Sequence, residues 1–152
     1  MTYDLHVIVR FELERALIDG SLSVADLPGA WNEAYRTRLG VEVSDDAAGC
    51  LQDVHWSCGL FGYFPTYTLG NLYAASLAAS ARRDLSDLDA KIASGSFAEL
   101  REWLSEHVWR HGRRHRPEEL VRQAAGASTG ELDPAVLLDY LRSKVRAVYG
   151  ND

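Results

Sequence analysis

Cysteine, methionine and proline are scarce: two, one and four in 152 residues. Nowhere does an apolar run approach the roughly twenty residues a membrane-crossing helix needs. Two thiols, Cys50 and Cys58, make no disulfide framework, and no basic, apolar and small-residue leader opens the chain. A reducing cytoplasm is the expected compartment. Positive charge is also short, with sixteen Lys and Arg against twenty-two Asp and Glu and a net charge of -6. Phosphate contacts need a dense cationic face, so neither nucleic acid nor an anionic membrane is the expected partner. Internal repeats, heptad arrays and low-complexity tracts are missing. What is present is an ordinary globular balance, 47% apolar and 25% charged, at a length that buries a core in one domain. A single helical domain over residues 1–152 is expected.

The apolar pattern reads as all-α. From Tyr3 to Asp19, Leu5, Ile8, Val9, Leu13, Ala16 and Leu17 recur at helical steps before Gly20, which predicts a first helix. Pro28 opens a second, with Trp31, Ala34, Tyr35 and Leu39 on one stripe and Gly40 as its stop. Residues 41–49 read as a loop. Between Cys50 and Tyr67, the rings of His55, Trp56, Phe61, Tyr63, Phe64 and Tyr67 crowd around Gly59, Gly62 and Pro65, with Asp53 almost the only charge. From Thr66 to Ser80 there is no charge at all, and small residues predominate. That stretch predicts a buried central helix following an aromatic, glycine-rich loop. A short helix runs through Lys91, and a Ser96–Glu99 capping box starts another that Gly112 closes. Pro117 opens the next, and Asp133-Pro134 starts a last helix to Gly150. The expectation is a compact bundle of about six to eight helices.

Several residues could carry chemistry. His107, His111 and His115 stand four apart, a spacing that can place two imidazoles on one Zn²⁺. However, Val108 occupies the place of a zinc peptidase's general-base glutamate, and Arg110, Arg113, Arg114 and Arg116 surround the group with like charge. These histidines read as a structural or surface cluster. Cys50, His55 and Cys58 lack a fourth ligand in register, so no metal or other cofactor is expected. Glu12 falls on the apolar stripe of the first helix, where a carboxylate needs a partner: either an arginine holds it in the structure or it lines a cleft.

The stretch GCLQDVHW, Gly49 to Trp56, followed by GYFPTYTLGN, Gly62 to Asn71, resembles the carboxypeptidase Taq family of zinc metallocarboxypeptidases. That family carries a Gly-x-x-Gln-Asp-x-His-Trp signature near its C-terminal end, matched at Gly49, Gln52, Asp53, His55 and Trp56. The flanking segments TYDLHVIVRFELERALIDG, HGRRHRPEELVRQAAG and LLDYLRSKVRAVYG are similar to the family's helices around and after the signature. The family's His-Glu-x-x-His, His-Glu-Ser-Gln and Ile-Arg-x-x-Ala-Asp motifs have no counterpart here. The resemblance therefore implies no intrinsic carboxypeptidase activity, since the metal supplies the activated water and the polarised carbonyl. It also implies that Gln52, Asp53, His55, Trp56 and Tyr67 are remnants of a substrate cleft. The expected role is a non-catalytic, stand-alone module that binds or regulates a protein. The alternative is a subunit of a split metallocarboxypeptidase whose metal part is a separate chain. Either way, an apolar face that the missing part would have covered should be closed by a homodimer or another protein partner.

Overall fold

The computed structural model describes residues 2–126 and 133–150, and among these all regular structure is helical. Seven α-helices follow in order: α1 Tyr3–Asp19, α2 Leu27–Leu39, α3 Pro65–Asp84, α4 Leu88–Ala93, α5 Ala98–His107, α6 Pro117–Ala124 and α7 Ala135–Tyr149. Two 3-10 turns, Val24–Asp26 and Trp109–His111, complete the set. The chain divides into two units, Met1–Leu69 and Gly70–Asp152.

The first unit is built on α1 and α2. Both helices end where the sequence pattern ends them, at Gly20 and Gly40 in the left-handed conformation, which glycine enters without the Cβ penalty. Val9, Leu13, Leu27, Trp31, Tyr35 and Cys50 form its core, with Leu17, Ala34, Leu39 and Trp56 packed against it. Trp31 is 1% exposed and stacks on Tyr35 at 4.8 Å between centroids. The loop expected over 41–49 is a loop, and turns continue through the aromatic segment to the first turn of α3.

The second unit has its own core of Ala81, Leu88, Trp103 and Ala124, flanked by Leu77, Leu85, Leu100, Leu104 and Val108. The Trp103 indole N–H donates to Asp84 at 3.0 Å. Three details depart from the sequence reading. The uncharged helix forms at its expected place as α3, yet only Ser76, Ser80 and Ala81 on it are buried. Small residues permit close approach but cannot compel it, and burial needs a covering surface on every side. The Ser96–Glu99 capping box does not form: Phe97 is the residue that precedes α5, and the Glu99 carboxylate instead accepts from Lys91 Nζ at 2.7 Å. That helix also stops at His107 rather than Gly112, because Val108 leaves helical geometry at φ -126° and a 3-10 turn follows.

Pro117 starts α6 as expected. Asp133 also caps α7 as read, its carboxylate accepting the Ala135 N–H at 2.8 Å. Each of the three histidines has a partner of its own, and the His111 and His115 rings also meet at 5.8 Å between centroids. His107 stacks on Trp103 at 4.5 Å with Nδ1 2.9 Å from its carbonyl, His111 Nε2 approaches the Glu106 carbonyl, and His115 lies 3.5 Å from Glu119.

Candidate functional site

The signature segment is shaped by its first glycine. A Cβ on Gly49 would lie 2.9 Å from Val43 Cγ1 and 3.0 Å from the Asp45 carbonyl oxygen, so only glycine fits where the chain passes that close to itself. The turn that follows carries Asp53, His55 and Trp56 back across α1.

On the α1 side, His6, Arg10 and Glu14 repeat at four-residue steps and so share one helix face. Arg10 and Glu14 are both buried. Arg10 Nε donates to Asp53 Oδ2 at 2.5 Å, while Nη1 donates to the Tyr35 hydroxyl at 2.7 Å and the His6 carbonyl at 2.9 Å. The guanidinium lies over the Trp31 ring at 4.9 Å and near Phe64 at 5.7 Å, an arrangement that stabilises a desolvated cation. Glu14 accepts from Trp56 Nε1 at 2.9 Å and from the backbone N–H of Gly62. A half-buried ion pair and a buried carboxylate that accepts two hydrogen bonds thus tie α1 to the loop at successive turns.

An open cavity of about 450 Å³ lies along this seam, lined by Tyr3, His6, Arg10, Asp53, His55 and Tyr67, with Thr2, Val7 and Phe64. His55 Nε2 and the Tyr67 hydroxyl are 3.0 Å apart. His55 Nδ1 is buried without a hydrogen-bond partner, 3.7 Å from Asp53 Oδ1, which is beyond hydrogen-bond reach. The imidazole therefore stands between a phenol and a carboxylate, and its ring packs on Phe64 at 4.6 Å. Burial, aided by the Arg10 charge, lowers the pKa of His6 from its ordinary value. Burial also raises the hydroxyl pKa of Tyr67, with Tyr63, Tyr3 and Asp53 adding to it. Both effects keep these cavity groups neutral and available as hydrogen-bond donors or acceptors near pH 7.

Of the residues singled out in the sequence, Asp53, His55 and Tyr67 line the cavity together. Trp56 stands behind them, edge-on to Trp31 and Phe64. Gln52 is exposed and is not among the residues that line the cavity. Glu12 is not the buried carboxylate of α1: it is exposed and paired with Arg38, and Glu14 holds the interior position. Sequence reasoning passed over Arg10, His6 and Glu14, although their four-residue spacing was a visible signal. Cys50 is buried in the core of the first unit and Cys58 is exposed, both as free thiols.

The family model described as carboxypeptidase Taq (M32) metallopeptidase matches residues 1–145. Carboxypeptidase 1 of Bacillus subtilis is 44% identical over 98% of this chain, and thermostable carboxypeptidase 1 of Thermus thermophilus is 48% identical over 99%. In each case the chain spans 29% of the relative's length. The crystal structure of the M32 carboxypeptidase from Deinococcus radiodurans superposes with a TM-score of 0.91 at 45% identity, over 99% of this chain and 30% of that one. Metallocarboxypeptidase 1 of Trypanosoma cruzi gives 0.87 at 41%, over 95% and 29%.

Proposed function

Because the chain belongs to the carboxypeptidase Taq (M32) metallopeptidase family, we propose that it acts as a non-catalytic module. It would present the family's cleft-lining helices and bind or regulate a protein, as a homodimer or with another chain. One observation carries the reading: the cavity holds pre-positioned binding groups, yet among the described residues no three His, Cys, Asp or Glu side chains are placed to hold a metal ion together.

The residues present do not fit a catalytic zinc, which takes three protein ligands and an open position for water. The His111 and His115 rings lie 5.8 Å apart, but each also has its own partner in Glu106 or Glu119 and no third ligand joins them among the described residues, and the Arg10 guanidinium stands beside Asp53 where a dication would have to approach. No hydrolytic step is therefore assigned to this chain. Its own residues bind and orient: Tyr67 and His55 offer hydrogen bonds, while Tyr3 and Phe64 offer apolar surface. A partner surface is supported by α7, which has no buried residue and exposes Leu138, Val145, Val148 and Tyr149.

The test is an assay of the pure protein with added zinc for release of C-terminal amino acids, run beside light scattering for its mass in solution. No release, with a mass above 16.9 kDa, is expected. Zinc-dependent turnover would overturn the non-catalytic reading, and a strict monomer that binds no protein would overturn the module.

A second reading is a split enzyme, supported by the ready-made His55–Tyr67 pair and by the 29% coverage of the relatives. Here the chain would complete the cleft of a separate, metal-bearing polypeptide. Mixing it with the part of the Bacillus subtilis relative that it does not match would then generate activity. His55→Ala or Tyr67→Ala would lower that activity.

A further inference from the structure

We propose that Glu14 is the positioning residue of this site: its carboxylate clasps the loop between Trp56 and Gly62 and thereby sets the His55 ring against Tyr67. The proposal rests on the reading that the His55–Tyr67 pair is the working element of the cavity.

Both groups that Glu14 holds are N–H donors, the Trp56 indole and the Gly62 backbone amide. Only an acceptor with two free oxygens satisfies both, and an ionised carboxylate is acceptor-only. The clasped positions bracket the segment that carries His55. Its turns close locally, with the Leu60 N–H donating to the His55 carbonyl at 2.8 Å and the Gly59 N–H to the Trp56 carbonyl at 3.0 Å. Beyond these turns this small knot is held by the Trp56 ring, packed on the core beside Trp31 and Phe64, and by the Asp53–Arg10 bond just before it. Leu60, Phe61 and Tyr63 are exposed, and buried Phe64 marks its far end. Glu14 fixes the knot at its start and near its end, from a rigid helix. Gly62 sits at φ +79° with its amide turned inward to the carboxylate, a backbone state that a side chain would resist.

His55 adjoins Trp56 in sequence, so the indole's position sets the backbone from which the imidazole projects. With the indole held, the ring rests on Phe64 and Nε2 meets the Tyr67 hydroxyl at 3.0 Å. Glu14 touches neither cavity group among its hydrogen bonds and acts on them through Trp56. The buried carboxylate thus has a role in addition to stability, since hydrogen-bond geometry at His55 depends on it.

The experiment is nitrogen-15 NMR of the imidazoles in the full chain, comparing the parent with Glu14→Gln and Leu13→Ala. In Glu14→Gln one donor must face the amide NH₂, a donor-to-donor conflict. Leu13→Ala damages the same helix and the core on which Trp56 packs while leaving both hydrogen bonds of the clasp their partners. In the parent, His55 should show two distinct ring-nitrogen resonances, as one tautomer fixed by Tyr67 does. Glu14→Gln should collapse them toward the averaged pair of a free imidazole, while Leu13→Ala leaves them separate. A folded Glu14→Gln protein with unchanged His55 resonances would overturn the proposal, as would an equal collapse in Leu13→Ala. If Glu14→Gln does not fold, replacing Trp56 by 3-benzothienylalanine decides: it keeps a bicyclic ring of the same shape and exchanges only the clasped N–H for sulfur. Partial collapse is then expected, and an unchanged spectrum overturns the proposal. No ligand, partner or turnover enters the measurement, so its failure is distinct from failure of the proposed function.

Discussion

Arg10 Nε and Asp53 Oδ2 are joined at 2.5 Å across forty-three residues of sequence. The bond makes the signature loop a part of α1. Arg10 is buried beneath Trp31, Tyr35 and Phe64, whereas Asp53 keeps about 30% of its side chain exposed at the cavity wall. The cation is thus the desolvated partner, and the carboxylate faces whatever enters the cavity.

That asymmetry predicts unequal effects of removing each partner. Arg10→Met should cost about 3 kcal/mol, since it strands a partly buried carboxylate and also the Tyr35 hydroxyl. Asp53→Asn leaves an acceptor for Nε and keeps contact with water, so about 1.5 kcal/mol is expected. Urea unfolding followed by circular dichroism ranks the two, and an Asn variant costing more than the Met variant would contradict this account.

The two thiols should differ in reactivity. Cys58 is exposed, whereas Cys50 is buried, and burial together with the Asp46 charge pushes its thiol pKa up. The thiolate is the reactive form. A chromogenic disulfide reagent should therefore titrate one thiol at once in the native protein, and the second only as fast as the first unit opens. Two thiols reacting together would show that Cys50 is not held in the core.

Gly49→Ala tests the close approach at the start of the signature. The added methyl meets a movable Val43 methyl but also a backbone oxygen, Asp45 O, at 3.0 Å. Overpacking of this kind costs about 1–3 kcal/mol. Adding Val43→Ala should recover part of the loss and not all, because the carbonyl cannot move aside. Full recovery in thermal melts would assign the conflict to the side chain alone.

The all-α architecture was legible because helices announce themselves by period and by stops. Gly20, Gly40, Pro28, Pro117 and Asp133 each mark an end where the chain places one. The interior of the site was harder to read because charged and apolar residues are interleaved all round α1, with Asp4, Arg10, Glu12, Glu14 and Arg15 set among Leu5, Ile8, Val9 and Leu13. Leu5 and Ile8 fit the periodic stripe but are 39% and 37% exposed, while His6, Arg10 and Glu14 face inward. Hydrophobic periodicity assigns the buried face to carbon, and here the buried face carries the polar groups because the loop supplies their partners. Glu12 was singled out by that same logic, as a carboxylate on the stripe, and of its two readings the arginine partner is the one found, in Arg38 on the exposed face. The capping box failed for a related reason: Lys91, eight residues upstream of Glu99, offers a full charge where Ser96 offers only a neutral amide. Local signals named the elements, and long-range pairings decided which side chains they buried.

His6 gives the fold a pH dependence of predictable sign. Its Nδ1 lies 3.2 Å from the Tyr35 hydroxyl, and burial followed by the nearby Arg10 charge lowers its pKa below the ordinary value of 6.5. The folded state therefore favours the neutral ring, while the unfolded chain takes up its proton first as pH falls. Above 6.5 both states are neutral, and His6 adds no slope. Below it the unfolded state binds more protons, so stability falls until the folded state is protonated as well. The carboxylates with lowered pKa, Asp19, Asp45, Asp84 and Asp89, also lose stability on acidification, in a lower window centred near and below their ordinary value of 3.8. Urea midpoints at closely spaced pH values should hold level above 6.5 and decline below it, and His6→Gln should remove the decline above pH 4 that this ring causes. An unchanged profile in His6→Gln would place the acid sensitivity elsewhere and leave His6 without a part in it.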